Sequence, residues 1–167
     1  MTVTQNTKFT NFSRFRNILK SSSTEQLGLK IAWTILRVGM GVLIVHNGFA
    51  KLADVQGFAT NVVGVIGLPY PVFLTYCAAY IEIVSALLLA IGFLTRLNAM
   101  ALLLTMLIAI YFHLKAEGLH ISPLEMASLY SLGYLFFLIN GGGAWAIDAL
   151  LLQKLTSISQ PVLANDQ

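Results

Sequence analysis

Four stretches of this chain, about residues 29–50, 71–94, 97–115 and 123–140, each offer roughly the twenty apolar residues that a bilayer core requires of a helix. Inside hydrocarbon no water is present to pair with exposed N–H and C=O groups, and an open sheet edge cannot sit there. All four therefore read as helices. The charge content agrees: 10% of the 167 residues are charged and 57% are hydrophobic, whereas a soluble domain carries about 25% charged residues. The fold class expected is an all-α membrane protein, a four-transmembrane-helix bundle in one domain spanning residues 29–150.

The connections refine this outline. The loop 51–70 contains "GFATNVVGVIGLPYP", apolar but broken by Gly64, Gly67, Pro69 and Pro71, which predicts a short interfacial or re-entrant helix between spans 1 and 2. "TRLN" joins the second and third spans and is short enough to force an antiparallel hairpin. Lys8, Arg14, Arg16, Lys20, Lys30, Arg96 and Lys154 then fall on one side, against Lys51 and Lys115 on the other. The positive-inside rule puts both termini in the cytoplasm. Residues 1–28 lack the apolar core of a secretory signal. They read either as an amphipathic helix at the headgroups, carried by Phe9, Phe12, Phe15 and Leu19, or as a soluble basic tail. Residues 151–167 form a C-terminal tail.

Two ionisable residues lie within the apolar runs. Arg37 is near the middle of the first span and Glu82 near the middle of the second, and each costs about 2.5–3.5 kcal/mol at a helix centre on insertion scales. Antiparallel neighbours would bring them to one depth, so a buried ion pair is expected. Gly41 and Gly48 on one helix, with Ala78, Ala79, Ser85 and Ala86 on the other, would allow the close approach that shields it. Such a pair either fixes helix register or forms a proton or quinone-headgroup site.

A second polar group gathers at the Lys51 end. His46 closes the first span, His113 closes the third, and Glu117 and His120 follow. Asn98, Thr105, Ala109 and His113 share a stripe, so His113 should face the interior. His46 lies nine residues beyond Arg37, half a turn out of phase. Three readings stay open for these imidazoles: interface residues bonded to backbone or water, proton-active groups beside a quinone ring, or ligands of a metal or haem. No close-spaced His or Cys pair supports the last, and no metal is assigned. Tyr70, Phe73, Tyr76, Tyr80, Tyr111 and Phe112 form either an aromatic belt or the wall of a quinone pocket. Tyr130 and Tyr134 lie deeper, and their hydroxyls need partners, which turns them inward. Cys77 is the single cysteine, so the chain has no dithiol of its own. Phosphate loops, zinc spacings, nucleophile elbows and nucleic-acid surfaces are absent from the sequence.

The ordered landmarks match a known family. Arg37, "GFAKL" with Gly48 and Lys51, "GLPYP", "YIEIVSALLLAIGFLTRLNA" with Glu82, Gly92 and Arg96, His113, Glu125 and "GGGAWAIDAL" with Asp148 follow in sequence. Over roughly residues 30–150 the chain resembles the DoxX family of small four-helix bacterial membrane proteins. The resemblance implies a multi-pass protein of the inner membrane, acting as a quinone-linked subunit or accessory of a membrane oxidoreductase. Some relatives look like subunits of thiosulfate:quinone oxidoreductases, and others take part in thiol-stress complexes. In the family a histidine usually stands directly before the glycine of "HG..KL". Here Asn47 takes that place and His46 is one residue earlier, which turns the imidazole by about 100°.

Glu82, Arg37 and His113 are accordingly the candidate catalytic residues, with Lys51, His46 and Tyr80 the candidates for holding a quinone. The expected partners are the lipid bilayer, other oxidoreductase subunits and further copies of the chain. A noncatalytic scaffold for a larger membrane complex is the second reading. A transporter of a small solute or protons, which four helices could form only as an oligomer, is the third.

Overall fold

The computed structural model describes residues 26–116, 118 and 121–164. The basic N-terminal tail, Glu117, His120 and residues 165–167 lie outside them. All regular structure in the described residues is helical. Helix α1 spans Leu27–Ala53, and the short α2 spans Val55–Ile66. Helix α3 spans Pro71–Ile91, α4 Thr95–Ala116, α5 Ile121–Asn140 and α6 Ile147–Ala164. The four apolar runs are thus α1, α3, α4 and α5, each within a few residues of its expected ends. The short helix expected in the 51–70 loop is α2. Of these, α1, α3 and α4 are long and apolar enough to cross a membrane. Helix α5 packs against α4.

Local chemistry sets the boundaries. The Asp54 carboxylate accepts from Gly57 N at 2.9 Å and opens α2. Gly67 ends that helix in the left-handed region, at φ +81°, which costs glycine nothing because it has no Cβ. Pro71 then sits in the first turn of α3, where its missing N–H is no loss. Two wide π-type turns interrupt the helices, Ala59–Val63 in α2 and Ile81–Ser85 in α3. Turns of this kind frequently mark functional positions, and the second one carries Glu82.

Helix α1 buries one stripe, Trp33, Arg37, Gly41, Ile44 and Gly48, whose spacing of three or four residues defines a helix face. Its other face leaves Ile35, Val42, Leu43 and Phe49 exposed. The outward faces of α3, α4 and α5 are equally apolar, with Leu87, Leu104, Leu107, Leu129 and Leu132 exposed. In water such a continuous apolar surface would drive association, whereas in a bilayer it is the surface that lipid covers.

The closest packing is between α1 and α3. Gly41 backs onto Ala86 and Ala90, and Gly48 onto Ala79 and Ile83. A Cβ on Gly41 would fall 2.6 Å from the Ala86 carbonyl oxygen, and one on Gly48 2.8 Å from that of Ala79. This antiparallel register sets Arg37 level with Gly92 and Glu82 level with Asn47.

One end of the bundle is closed by a polar knot. Arg37 donates to Ala90 O at 3.3 Å, Gly142 O at 2.6 Å and Trp145 O at 3.2 Å. The buried Asp148 carboxylate accepts from Leu94 N at 2.7 Å and Thr95 N at 2.8 Å, capping the start of α4 from the far side of the α5–α6 loop. Asp148 N donates to Gly92 O at 3.0 Å, and Trp33 Nε1 to Gly141 O at 3.2 Å. Asp148 and Arg37 also attract one another electrostatically. The chain turns around α3, α4 and α6 are thereby tied to α1.

The α1–α3 contact predicts a contrast. Gly41→Leu should destabilise the protein by about 1–3 kcal/mol, the usual cost of overpacking. Gly39→Leu, at a position where a Cβ meets nothing within 4 Å, should be neutral. Denaturant titration in mixed micelles measures both.

Candidate functional site

The expected ion pair between Arg37 and Glu82 does not form. The glycine-set register puts Glu82 level with Asn47, ten residues along α1 from Arg37, which is about 15 Å of helix. The two residues are central in their own helices, yet the longer α1 is displaced along α3. Arg37 is instead satisfied by backbone carbonyls at the knot, one in the last turn of α3 and two in the α5–α6 loop.

Glu82 pairs with Lys51. Lys51 Nζ lies 2.5 Å from Glu82 Oε2, and the two side chains are 14% and 2% exposed. The ammonium also sits 5.1 Å above the centre of the Phe58 ring, a cation–π contact from α2. It donates to Asn47 O at 3.5 Å as well. This is the one side-chain ion pair among the described residues.

The pair lies in the wall of a cavity of about 650 Å³. That volume is within the roughly 300–1,000 Å³ of small-molecule sites. Helix α2 contributes Phe58, Val62 and Ile66, and α3 contributes Cys77, Ala78 and Ile81. Helix α4 adds Met106, Ala109 and Phe112, and α5 adds Pro123, Met126 and Ala127. Into this apolar surround project a few polar groups: Asn47, Lys51, Glu82, Thr105, His113 and Tyr130. A largely apolar chamber with a small set of convergent polar groups is the usual form of a small-molecule site.

The candidate residues divide clearly. Glu82, Lys51 and His113, from three different helices, line one cavity. His113 occupies the interior face expected from the α4 stripe, with its ring edge-on to Phe112 at 5.1 Å. Arg37 belongs to the opposite end. His46 is exposed, bonds through Nδ1 to Leu43 O in its own helix, and lies outside the cavity lining. Tyr80 is also outside the lining. It is 57% exposed and stacks on Tyr76 with ring centroids 6.5 Å apart, as a belt residue would. No group of three or more His, Cys, Asp or Glu residues capable of holding a metal ion occurs among the described residues.

Three placements depend on contacts between distant parts of the chain. Asp148 was visible only as a landmark, and its capping of α4 depends on a contact 53 residues away. Cys77 was counted but not located. Tyr130 was expected to face inward, but its place on the cavity wall depends on how α5 packs. It stacks on the fully buried Tyr134, with centroids 5.9 Å apart. The Tyr134 hydroxyl has no hydrogen-bond partner among the described residues and interacts electrostatically with Tyr130 and Glu82. The signal for Lys51 was available: Asn47 and Lys51 are one turn apart, at the level of α1 that the glycines set against Glu82.

The family model for DoxX matches residues 32–114, a range that holds Arg37, Lys51, Glu82 and His113. An uncharacterized protein of Haemophilus influenzae is 33% identical over 71% of this chain and 90% of its own length. The chain belongs to the DoxX family. Inner membrane protein YqjF of Escherichia coli is 32% identical, over 78% of this chain and 96% of its own. An uncharacterized membrane protein of Mycobacterium tuberculosis is 27% identical, over 73% and 82% respectively. No solved structure matches the chain. Together with the apolar helices, these matches identify this DoxX protein as a multi-pass protein of the bacterial inner membrane.

The Lys51–Glu82 pair makes a stability prediction for the DoxX bundle. Lys51→Met should cost about 3–5 kcal/mol, because it strands a buried carboxylate. The double variant Lys51→Met/Glu82→Met should recover most of that loss. A double-mutant cycle by denaturant titration in micelles reads the coupling directly.

Proposed function

We propose that this DoxX protein binds the headgroup of a quinone in the cavity beside Lys51 and Glu82, as the quinone-linked subunit of a membrane oxidoreductase. The observation that carries the reading is an ion pair in the wall of an apolar chamber of about 650 Å³. A quinone has an apolar ring and two carbonyl oxygens, so it asks for apolar contact plus a few donors. Lys51, His113 and Tyr130 are the donors at hand. Glu82 is the carboxyl group suited to giving up or accepting the proton that accompanies each change of quinone redox state. Cys77 has no second cysteine to pair with, so electrons come from a partner protein in this reading.

The proposal includes a topology. Helix α5 is the fourth span, and both termini face the cytoplasm. Seven basic residues on the side of Arg96 and Lys154, against Lys51 and Lys115 on the other, support it. The cavity then belongs to the periplasmic half of the membrane, and the Arg37–Asp148 knot to the cytoplasmic half.

A second reading has its own support. Arg37 and Glu82 each have a structural partner, which suits a noncatalytic scaffold that holds a larger complex together. Quinone binding separates the two. A ubiquinone carrying a single isoprenoid unit should raise the thermal midpoint of the purified protein, and Glu82→Gln or His113→Ala should abolish the rise. Arg37→Lys should lower the midpoint of the protein alone yet leave the quinone-dependent rise in place. Absence of any rise in the wild-type protein, with a defined partner recovered by crosslinking in native membranes, would favour the scaffold.

A further inference from the structure

The two ends of α2 are held across the cavity. Near its start Phe58 carries the Lys51 ammonium at 5.1 Å. At its last residue the Ile66 carbonyl accepts from Lys115 Nζ at 3.2 Å. Phe58, Val62, Val63 and Ile66 face the chamber from this helix and cover much of its nearest aqueous end, with the 39% exposed Leu68 at the rim.

A different part of the lining is open. Ile108 and Met126 both line the cavity, and they are 48% and 60% exposed. Arg96 on α4 donates to Ile139 O on α5 at 3.0 Å, an antiparallel pairing that places Ile108 near the level of Ala127. Ile108 and Met126, the two most exposed of the lining residues, therefore stand at one height. That height is eight residues inside the Ala116 end of α4, about 12 Å of helix. The exposed residues around it, Leu104, Leu107 and Leu129, belong to the apolar outer surface. The wall opens where lipid tails lie.

From this we infer that the cavity is loaded sideways from the bilayer through a mouth at Ile108 and Met126, and that its ligand is a long-tailed isoprenoid quinone. The headgroup lies toward Lys51 and Glu82, and the tail leaves through the mouth into the lipid. The inference rests on the quinone reading and adds to it the tail and the route. A tail that leaves along apolar side chains keeps its hydrophobic contacts throughout, whereas a water-soluble ligand would have to cross lipid to reach the same opening.

Two ubiquinones with the same headgroup test it, one with a single isoprenoid unit and one with eight, each titrated against the full chain in lipid nanodiscs. The long-tailed form should bind about tenfold or more tightly, since several buried methylenes separate the two. Ile108→Trp and Met126→Trp each fill the mouth from lipid-facing positions and should bring that preference close to unity. Leu132→Trp, on the lipid face of α5 away from the lining, should keep it. Equal binding of both quinones, or a tail preference that neither mouth variant alters, would overturn the sideways route and leave the headgroup site standing. Failure of both quinones to bind would overturn the site itself.

Discussion

The contact between α1 and α3 governs what the rest of the bundle can do. Gly41 and Gly48 remove the side chains that would hold these helices apart, and Ala79, Ala86 and Ala90 meet them from the other side. In a bilayer, helices gain little from excluding lipid, so close packing of small residues supplies much of their attraction. The same small residues admit few registers, because sliding by a residue or two would drive a bulky side chain into backbone. Once that register is set, Asn47 stands level with Glu82 and Arg37 with Gly92.

Two polar centres result, at opposite ends and of different character. At one, Arg37 and Asp148 spend their hydrogen bonds on backbone groups of the α5–α6 loop and of the helix ends beside it. In hydrocarbon each such group would otherwise cost several kcal/mol. Arginine suits this work because its planar fork offers five donors in fixed directions. At the other centre, Lys51 and Glu82 satisfy each other and face a chamber. A charge pair in a cavity wall can exchange its partner for a ligand atom, which a guanidinium bound to three carbonyls cannot do without unmaking helix ends. The distinction moves the candidate chemistry away from Arg37.

Helix α2 links the second centre to the surface. Its cap at Asp54, its wide central turn and its stop at Gly67 keep it short, and its apolar side chains close one end of the chamber. Lys51 touches both Glu82 and Phe58. The lysine that neutralises the buried carboxylate thus also steadies the covering helix.

Hydrophobic length, glycine and proline placement, and basic residues at span ends were enough to mark α1 to α5, and the ordered landmarks from Arg37 to Asp148 carried the resemblance to the family. They also marked Lys51, Glu82 and His113 as unusual, because a charge or imidazole in an apolar run is costly wherever it ends up. What could not be read was which polar group meets which. Arg37 and Glu82 look like partners because each is central in its own span, but helix position says nothing of the offset between helices. That offset comes from side-chain packing at Gly41 and Gly48. His46 and Tyr80 lie outside the cavity lining for a related reason: a residue near a site in sequence faces it only if its helix turns that side inward. Asp148 reached α4 through a loop whose path no local pattern encodes. The sequence alone determined where α1 to α5 lie and which residues carry an energetic cost, while α6 read only as a tail. Tertiary structure decided how those costs are met, because the pairing depends on contacts between residues far apart in the chain.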